Sequence, residues 1–273
     1  MKNSDVRITL LVTTYNRKDA LELVLLSIKQ QSLMPLEVIV ADDGSTKDTA
    51  ELVQEYQKNF PVRLLHCWQE DLGFRVSHIR NKAIAMASGD YIIMVDGDVV
   101  LHRQFVRDHR DRLATNQFIQ GSRVLLSQGV TQKTIESKRV NFTPLSEGIK
   151  NRINATQLKL ITPLASWLYS LKQNINAVRS CNMSCWKTDL IKVNGFSEEF
   201  VGWGREDSEL AVRLLNSGIH RYNLKFGAIV YHLWHKENKS NDLLIKNDDF
   251  LSKAIAEKRK VCKVGLNQYL KSN

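Results

Sequence analysis

Tyr91-Ile92-Ile93-Met94-Val95-Asp96-Gly97-Asp98 is the stretch whose reading decides the fold. Its first five residues carry no charge, and four of them are aliphatic or Met, as in a strand buried on both faces. The strand then stops at two carboxylates separated by a glycine. Open α/β sheets bind their ligands beyond the carboxyl ends of the strands, so this Asp-x-Asp puts two hard oxygen ligands at such a mouth. They suit Mg2+ or Mn2+ carrying a diphosphate. Asp-Gly is also ordinary turn chemistry, and the motif alone leaves both readings open.

The chain before it alternates strands and helices. Val6 to Tyr15 reads as a β-branched strand. Leu21, Val24, Leu25 and Ile28 recur at helical spacing ahead of Pro35, and a second strand, Leu36 to Ala41, ends in Asp42-Asp43-Gly44-Ser45. Ala50, Val53 and Tyr56 mark a helix, Val62 to Leu65 a short strand, and Val76 to Ala87 a helix closed by Ser88-Gly89. This alternation predicts an α/β fold with a mostly parallel sheet. Three strands then end in polar chemistry on one edge: Thr13 to Tyr15, Asp42-Asp43 and Asp96 to Asp98. No Gly-x-Gly-x-x-Gly or Walker-type loop follows the first strand, which disfavours a dinucleotide oxidoreductase or a P-loop phosphotransferase.

Beyond Asp98 the pattern predicts a helix over Phe105 to Leu113 and a strand over Phe118 to Leu126. Residues 127 to 176 are basic and rich in Gln, Ser and Asn, with one readable helix that starts at Thr162-Pro163. Leu164, Leu168, Leu171 and Ile175 share one face beside Trp167; such a face can lie on a membrane or pack into the core. A strand over Val178 to Trp186 and a short helix over Thr188 to Val193 follow. Next comes Gly202-Trp203-Gly204-Arg205-Glu206-Asp207, loop chemistry leading into a helix that Gly218 ends. Its two acids either cap a helix start or place a base beside an exposed aromatic ring. The strand Ala228 to Tyr231 delivers His232-Leu233-Trp234-His235.

Composition narrows the possibilities. The 273 residues carry a formal charge of +10, and from Arg123 to Arg179 nine Lys or Arg face two Glu, nine minus two giving +7 of that total. A basic segment favours anionic partners or is simply a solvated surface. Four cysteines are few for the length and predict reduced thiols; Cys181 and Cys185 have no second pair with which to form a zinc site. With no apolar run of membrane-spanning length and no signal-peptide core at Met1 to Asp5, the sequence predicts a cytoplasmic protein.

Together these motifs resemble a known family. Val12 to Arg17, Val40 to Ser45, Arg80-Asn81 and Asp96-Gly97-Asp98 look like the nucleotide-sugar half of the family 2 glycosyltransferases. Asn194 to Glu209 is similar to the acceptor half of β-1,4-galactosyltransferases and bacterial chondroitin polymerases, whose signature is Gly-Trp-Gly-Gly-Glu-Asp. Arg205 departs from it, standing where the signature has its second glycine.

The resemblance implies a glycosyltransferase A-type fold: an α/β, Rossmann-like, mostly parallel sheet flanked by helices. It implies one domain over residues 1–240, with a nucleotide-sugar half at 1–126, the basic insertion at 127–176 and an acceptor half at 177–240, then a helical tail at 241–273. Thr13, Tyr15 and Asp42 or Asp43 would hold the uracil and ribose of a UDP-sugar, with Arg17, Arg80, Asp96 and Gly97 along the rest of the donor. Asp98, Asp96 and His232 would bind Mn2+ or Mg2+. Asp207 would be the catalytic base and Glu206 would hold acceptor hydroxyls, while Trp203, Gly204, Asn182 and His235 would contact substrate.

The implied activity is inverting, metal-dependent transfer from a UDP-sugar to a glycan or glycolipid acceptor in bacterial surface-polysaccharide or lipooligosaccharide synthesis. Nucleic acid is not an expected partner, and the implied location is the cytoplasm, with peripheral contact at the anionic inner face of the membrane. Two rival readings carry their own signatures. A sugar-nucleotide nucleotidyltransferase needs a glycine-rich loop where Thr13 to Arg17 stands. A non-catalytic basic anion- or glycan-binding protein explains the charge but not the ordered carboxylates.

Overall fold

The computed structural model describes residues 3–173, 175, 178–236 and 241–270. The expected boundary near residue 240, the last three residues of the tail, and residues 174 and 176 of the basic insertion lie outside the described residues.

The main sheet begins with β1 (Ile8–Thr14), β2 (Glu37–Asp42), β3 (Arg63–Trp68) and β4 (Tyr91–Asp96), joined through helices α1 (Lys18–Lys29), α2 (Lys47–Gln57) and α3 (Val76–Met86). After β5 (Val99–Leu101) and α4 (Phe105–Arg110) come β6 (Gln117–Gln120), β7 (Ser122–Leu126), α5 (Gln128–Ser137), β8 (Ile149–Lys150) and α6 (Thr162–Ser170). The rest of the chain is β9 (Asn182–Trp186), α7 (Lys187–Lys192), α8 (Glu206–Asn216), β10 (His220–Asn223), β11 (Ile229–His232) and α9 (Asn241–Ala256). No described helix is long and apolar enough to cross a membrane.

Seven strands form the main sheet in the order β10-β6-β9-β4-β1-β2-β3, and only β9 runs antiparallel to its neighbours. The stretch Tyr91 to Val95 is fully buried and β4 lies between β9 and β1, which accounts for its unbroken apolar run. Two apolar layers enclose the sheet, one built on Leu10, Val24, Ile93 and Phe105 and the other on Leu11, Ile79, Met94 and Leu214. A second sheet, β5-β11-β7-β8, stands beside it and brings β11 next to the end of β4. All four cysteines are free and buried.

Four local expectations need correction. The strand over Phe118 to Leu126 is two strands, β6 and β7, in different sheets. The break falls at Gly121, where an added Cβ would lie 2.4 Å from the Asn182 amide, so only glycine lets that side chain close over the bend. The strand over Val178 to Trp186 starts only at Asn182, because the Arg179 peptide binds the Gln120 side chain through both its N–H and its C=O while Ser180 N–H binds Asp207. The basic insertion holds a further helix, α5, whose start is capped by Ser127 Oγ accepting from Val130 N–H. Its composition gave no apolar stripe to announce it.

The fourth concerns α6. Its serines face inward: Ser166 Oγ accepts from Lys225 N–H and Ser170 Oγ from Asn223 N–H. Its apolar residues face out, with Leu164, Trp167, Leu168 and Tyr169 each more than half exposed. Of the face drawn from the sequence, Leu164, Leu168 and Leu171 point outward, while Ile175 packs on Val212, Leu251 and Ala254.

Candidate active site

The carboxyl ends of β1, β2 and β4 converge, and the side chains expected there divide into supports and exposed groups. Asp42 is fully buried, accepting from Ser45 N–H at 2.8 Å and bonded to His66 Nε2 at 2.9 Å. Asp43 is almost as buried; burial pushes its carboxyl up, against hydrogen bonds from Arg75 N–H and Gln69 Nε2. Thr13 is nearly buried and its Oγ1 accepts from Arg80 Nε. Tyr15 is exposed, its hydroxyl donating to Asp71 at 2.9 Å, and Trp68 is exposed with its indole N–H on Ser45 C=O. Asp71 and Trp68 belong to this surface, yet neither stands in a readable motif. Arg17, at the start of α1, pairs with Asp19 at 3.3 Å.

Gly97 turns the chain at the end of β4. Its N–H donates to Thr13 C=O at 2.6 Å, and a Cβ there would approach Thr14 to 2.9 Å, so glycine is what lets β4 and β1 meet at this point. Asp98 emerges beyond it beside β11, held by Leu233 N–H on its backbone C=O. Asp98, His232 and His235 each offer a ligand atom within 4.8 Å of the others. Asp98 Oδ2 is 3.2 Å from His235 Nε2 and 3.7 Å from His232 Nε2. Burial opposes ionisation of Asp98, but His235 and His232 hold its carboxyl below the ordinary range, while the Asp98 bond raises His235. Burial lowers His232 and keeps that imidazole in the neutral, metal-binding form. Asp98 Oδ1 is buried with no hydrogen-bond partner among the described residues. One carboxylate, two imidazoles and an orphaned buried oxygen fit a divalent cation.

Two assignments shift here. His235, expected at the substrate, lies at Asp98 as closely as His232 does. Asp96, expected on the metal, is outside that cluster and pairs with Arg80 at 3.1 Å. Arg80, expected along the diphosphate, is buried as a tie: its other guanidinium nitrogen lies 3.4 Å from Asp207 and 3.7 Å from Glu206, and the group stacks 5.1 Å from the Phe196 ring centre. Three carboxylates thus share one buried cation.

Glu206 and Asp207 open α8, where the helix dipole favours negative charge. Burial, and then the neighbouring Asp207, push Glu206 up to about 7; burial likewise pushes Asp96 up to about 6. Asp207 is more accessible than Glu206, and its two oxygens are fixed by Ser180 N–H at 2.9 Å and by Arg80. Arg205 occupies the left-handed region at φ +76°, a glycine's conformation, and is held there by Asp248 of α9. Asn247 of the same helix donates to Gly204 C=O, so α9 braces the loop on which Trp203 stands half exposed.

Asn182 needs correction. It is fully buried and its amide is spent on Ser122 C=O, Ala228 C=O and His109. It pins the two sheets together at Gly121 and has no surface to offer a substrate.

The profile of the Glycosyl transferase family 2 matches residues 9–170, and that of the N-terminal domain of galactosyltransferase matches residues 164–236. A chondroitin synthase of Escherichia coli is 26% identical over 262 residues, covering 88% of this chain and 37% of the relative. A validoxylamine A glucosyltransferase of Streptomyces hygroscopicus subsp. limoneus is 28% identical over 232 residues, covering 78% of this chain and 48% of the relative. The chain thus spans half or less of the length of these relatives. Among solved structures, TarS of S. aureus superposes over 96% of this chain and 41% of its own, with TM-score 0.59 and 17% identity. A mannosyltransferase from Pyrobaculum calidifontis, in complex with GDP-Man and Mn2+, covers 93% of this chain and 72% of its own, with TM-score 0.55 and 16% identity. The fold shared with these structures is the glycosyltransferase A-type fold.

Proposed function

The chain belongs to glycosyl transferase family 2, and we propose that it is an inverting, metal-dependent glycosyltransferase moving a sugar from a UDP-sugar to a hydroxyl of a glycan or glycolipid. The observation that carries this reading is the pairing of two separate centres: Asp207, fixed and accessible at the start of α8, and the Asp98–His232–His235 cluster between β4 and β11. Arg80, salt-bridged to Asp207 and Asp96, ties the first centre to the end of β4, two residues before Asp98.

Asp98, His232 and His235 would hold the cation, whose charge would stabilise the departing nucleoside diphosphate. Two imidazoles in the ligand set favour Mn2+ over Mg2+, which prefers an all-oxygen shell. Asp207 takes the proton of the acceptor hydroxyl as that oxygen attacks the anomeric carbon and the bond from that carbon to the diphosphate breaks. Ser180 N–H and the Arg80 guanidinium aim its carboxylate. Glu206, with its raised pKa, can donate to or accept from neighbouring acceptor hydroxyls. Trp203 offers an aromatic face for a sugar ring, and Tyr15 with Asp71 supports the nucleoside. Residues 1–126 then serve as the donor half and 177–240 as the acceptor half.

The outward apolar face of α6, in a basic segment that also carries Lys150, Arg152, Lys159 and Lys172, suits a peripheral position on an anionic membrane surface where a glycolipid acceptor would be met. Trp167→Ala with Leu168→Ala is expected to reduce sedimentation with anionic liposomes while leaving the thermal midpoint unchanged. Equal sedimentation by the variant removes the membrane from the account.

The test of the function itself is a screen of nucleotide sugars with Mn2+, read as release of the nucleoside diphosphate and as thermal stabilisation. UDP-sugar turnover abolished by EDTA is the expected result. Turnover indifferent to EDTA, or stabilisation by no nucleotide sugar, refutes it.

A further inference from the structure

A second feature near the carboxylates is opposite to them in charge. Where Gly121 bends the chain from β6 into β7, a cavity of about 240 Å³ opens, lined by Arg123, Arg179, Arg221 and Lys225 with Asn154 and Cys181. Four cations and no carboxylate line it among the described residues. They come from separate elements: Arg123 from β7, Arg179 from the segment before β9, Arg221 from β10, and Lys225 from the turn after β10. The backbone that carries the lining is held by hydrogen bonds. The Arg179 peptide is gripped on both sides by the Gln120 amide, at 3.0 Å each way. The Lys225 ammonium sits 4.2 Å over the Tyr169 ring, and its backbone N–H is bound by Ser166 of α6. Asn154 donates to Arg123 C=O at 3.1 Å. Burial pulls Arg221 and Lys225 below their ordinary ranges, and the Arg221 charge lowers Lys225 further.

Its position ties it to the reaction. Arg179 is one residue from Ser180, whose N–H fixes the proposed base Asp207. Arg123 is paired in register with Val230, two residues before His232 on the same strand. Cys181 in the lining lies within the electrostatic reach of Asp96, Asp98 and Asp207 together. On its outer side the cavity adjoins α6, the helix whose far face is apolar and exposed.

We infer that this cavity binds an oxyanion, carboxylate or phosphate, borne by the sugar acceptor, so that the acceptor is an anionic glycan whose charged group docks beside the segment that fixes the base. Cations so placed select the acceptor by its charge and turn its free hydroxyl toward Asp207, a contribution of positioning. Only the word acceptor rests on the function proposed above; the anion site stands on its own lining.

The same chemistry could come from the donor diphosphate, and the experiment separates the two. The 273-residue chain is titrated by calorimetry, in EDTA so that no cation can hold the anion, with glucose 6-phosphate, glucuronate and glucose. Both anionic sugars are expected to bind and glucose not to. Arg179→Gln with Lys225→Gln is expected to weaken binding tenfold or more, whereas Lys47→Gln with Lys58→Gln, exposed at the two ends of α2, leaves it unchanged. Glucose binding as tightly as glucose 6-phosphate, or equal weakening by both double variants, overturns the site.

A second titration with saturating UDP and Mn2+ assigns the source. Undiminished glucose 6-phosphate binding supports the acceptor, and mutual exclusion overturns that assignment in favour of the donor diphosphate. Anion binding without any nucleotide-sugar turnover would refute the proposed function and leave the site standing. Turnover without anion binding would do the reverse.

Discussion

Replacing Arg80 with Met removes the one cation shared by Asp96, Glu206 and Asp207 and leaves the stem that packs on Phe196. Because the Arg80 side chain is only 5% exposed, its loss strands carboxylates away from water. Breaking a buried pair by removing one partner costs about 3–5 kcal/mol when the survivor is charged. The cost depends on pH, and Glu206 fixes the sign. Its folded pKa of about 7 lies above the ordinary 4.5, so the folded state keeps a proton that the unfolded chain has already lost. That contribution to stability is full below pH 4.5 and is lost as pH rises through 7. Taking Arg80 away raises Glu206 further and steepens the loss.

At pH 5 Glu206 and Asp96 of the Arg80→Met protein can neutralise, and its thermal midpoint should lie closer to that of the wild type. At pH 8.5 they cannot, and 3–5 kcal/mol corresponds to a midpoint lower by roughly 6–20 °C for a chain of this size. Melting curves of both proteins at the two pH values test this. An equal loss at both would show that Arg80 acts through packing on Phe196. No loss at either would show that the cluster does not need its cation.

Three further outcomes follow from the same geometry. His232→Gln and His235→Gln should each weaken Mn2+ binding by roughly tenfold or more, read by the paramagnetic signal of free Mn2+; an effect from only one of them would remove the other from the ligand set. Arg205→Gly should relieve about 1 kcal/mol of left-handed strain while losing the partly exposed Asp248 bridge, worth about 0–1 kcal/mol. Denaturant titration should therefore rank Arg205→Gly above Asp248→Asn, which loses the bridge and keeps the strain, and the opposite order contradicts the strain at this residue. Gly97→Ala should destabilise by about 1–3 kcal/mol, since its Cβ would press on Thr14, and a neutral effect in the same titration would show that β4 and β1 can separate there.

What the sequence made legible follows from which forces act locally. Tyr91 to Asp98 could be read because a strand between two neighbours and two apolar layers must be apolar throughout, and its sudden end in carboxylates is visible without any partner. The paired chemistry of Glu206-Asp207 and of His232 and His235 could be read for the same reason. The division of labour within those groups could not. Asp96 and Asp98 look alike in sequence, yet Arg80, sixteen residues upstream of Asp96, claims the first, and a strand more than a hundred residues later brings its imidazoles to the second. Asn182 resembled a polar residue aimed at a substrate, but the close approach permitted by Gly121 made it a buried strut. Exposure of the α6 face was equally hidden, because its serines are held by backbone groups of a distant turn. The basic cavity left only one trace in the sequence, the excess of Lys and Arg between residues 123 and 179. Its lining is assembled from four segments.

The most direct test of the central claim is the Asp207→Asn protein with the UDP-sugar that the wild type turns over. Calorimetric binding of UDP with Mn2+ should stay within about twofold of the wild type, because Asp98, His232 and His235 are untouched. Transfer should fall by roughly 10² or more, the scale of a lost general base. Transfer at the wild-type rate, or loss of UDP and Mn2+ binding alongside transfer, would contradict a base at Asp207 separate from the metal centre.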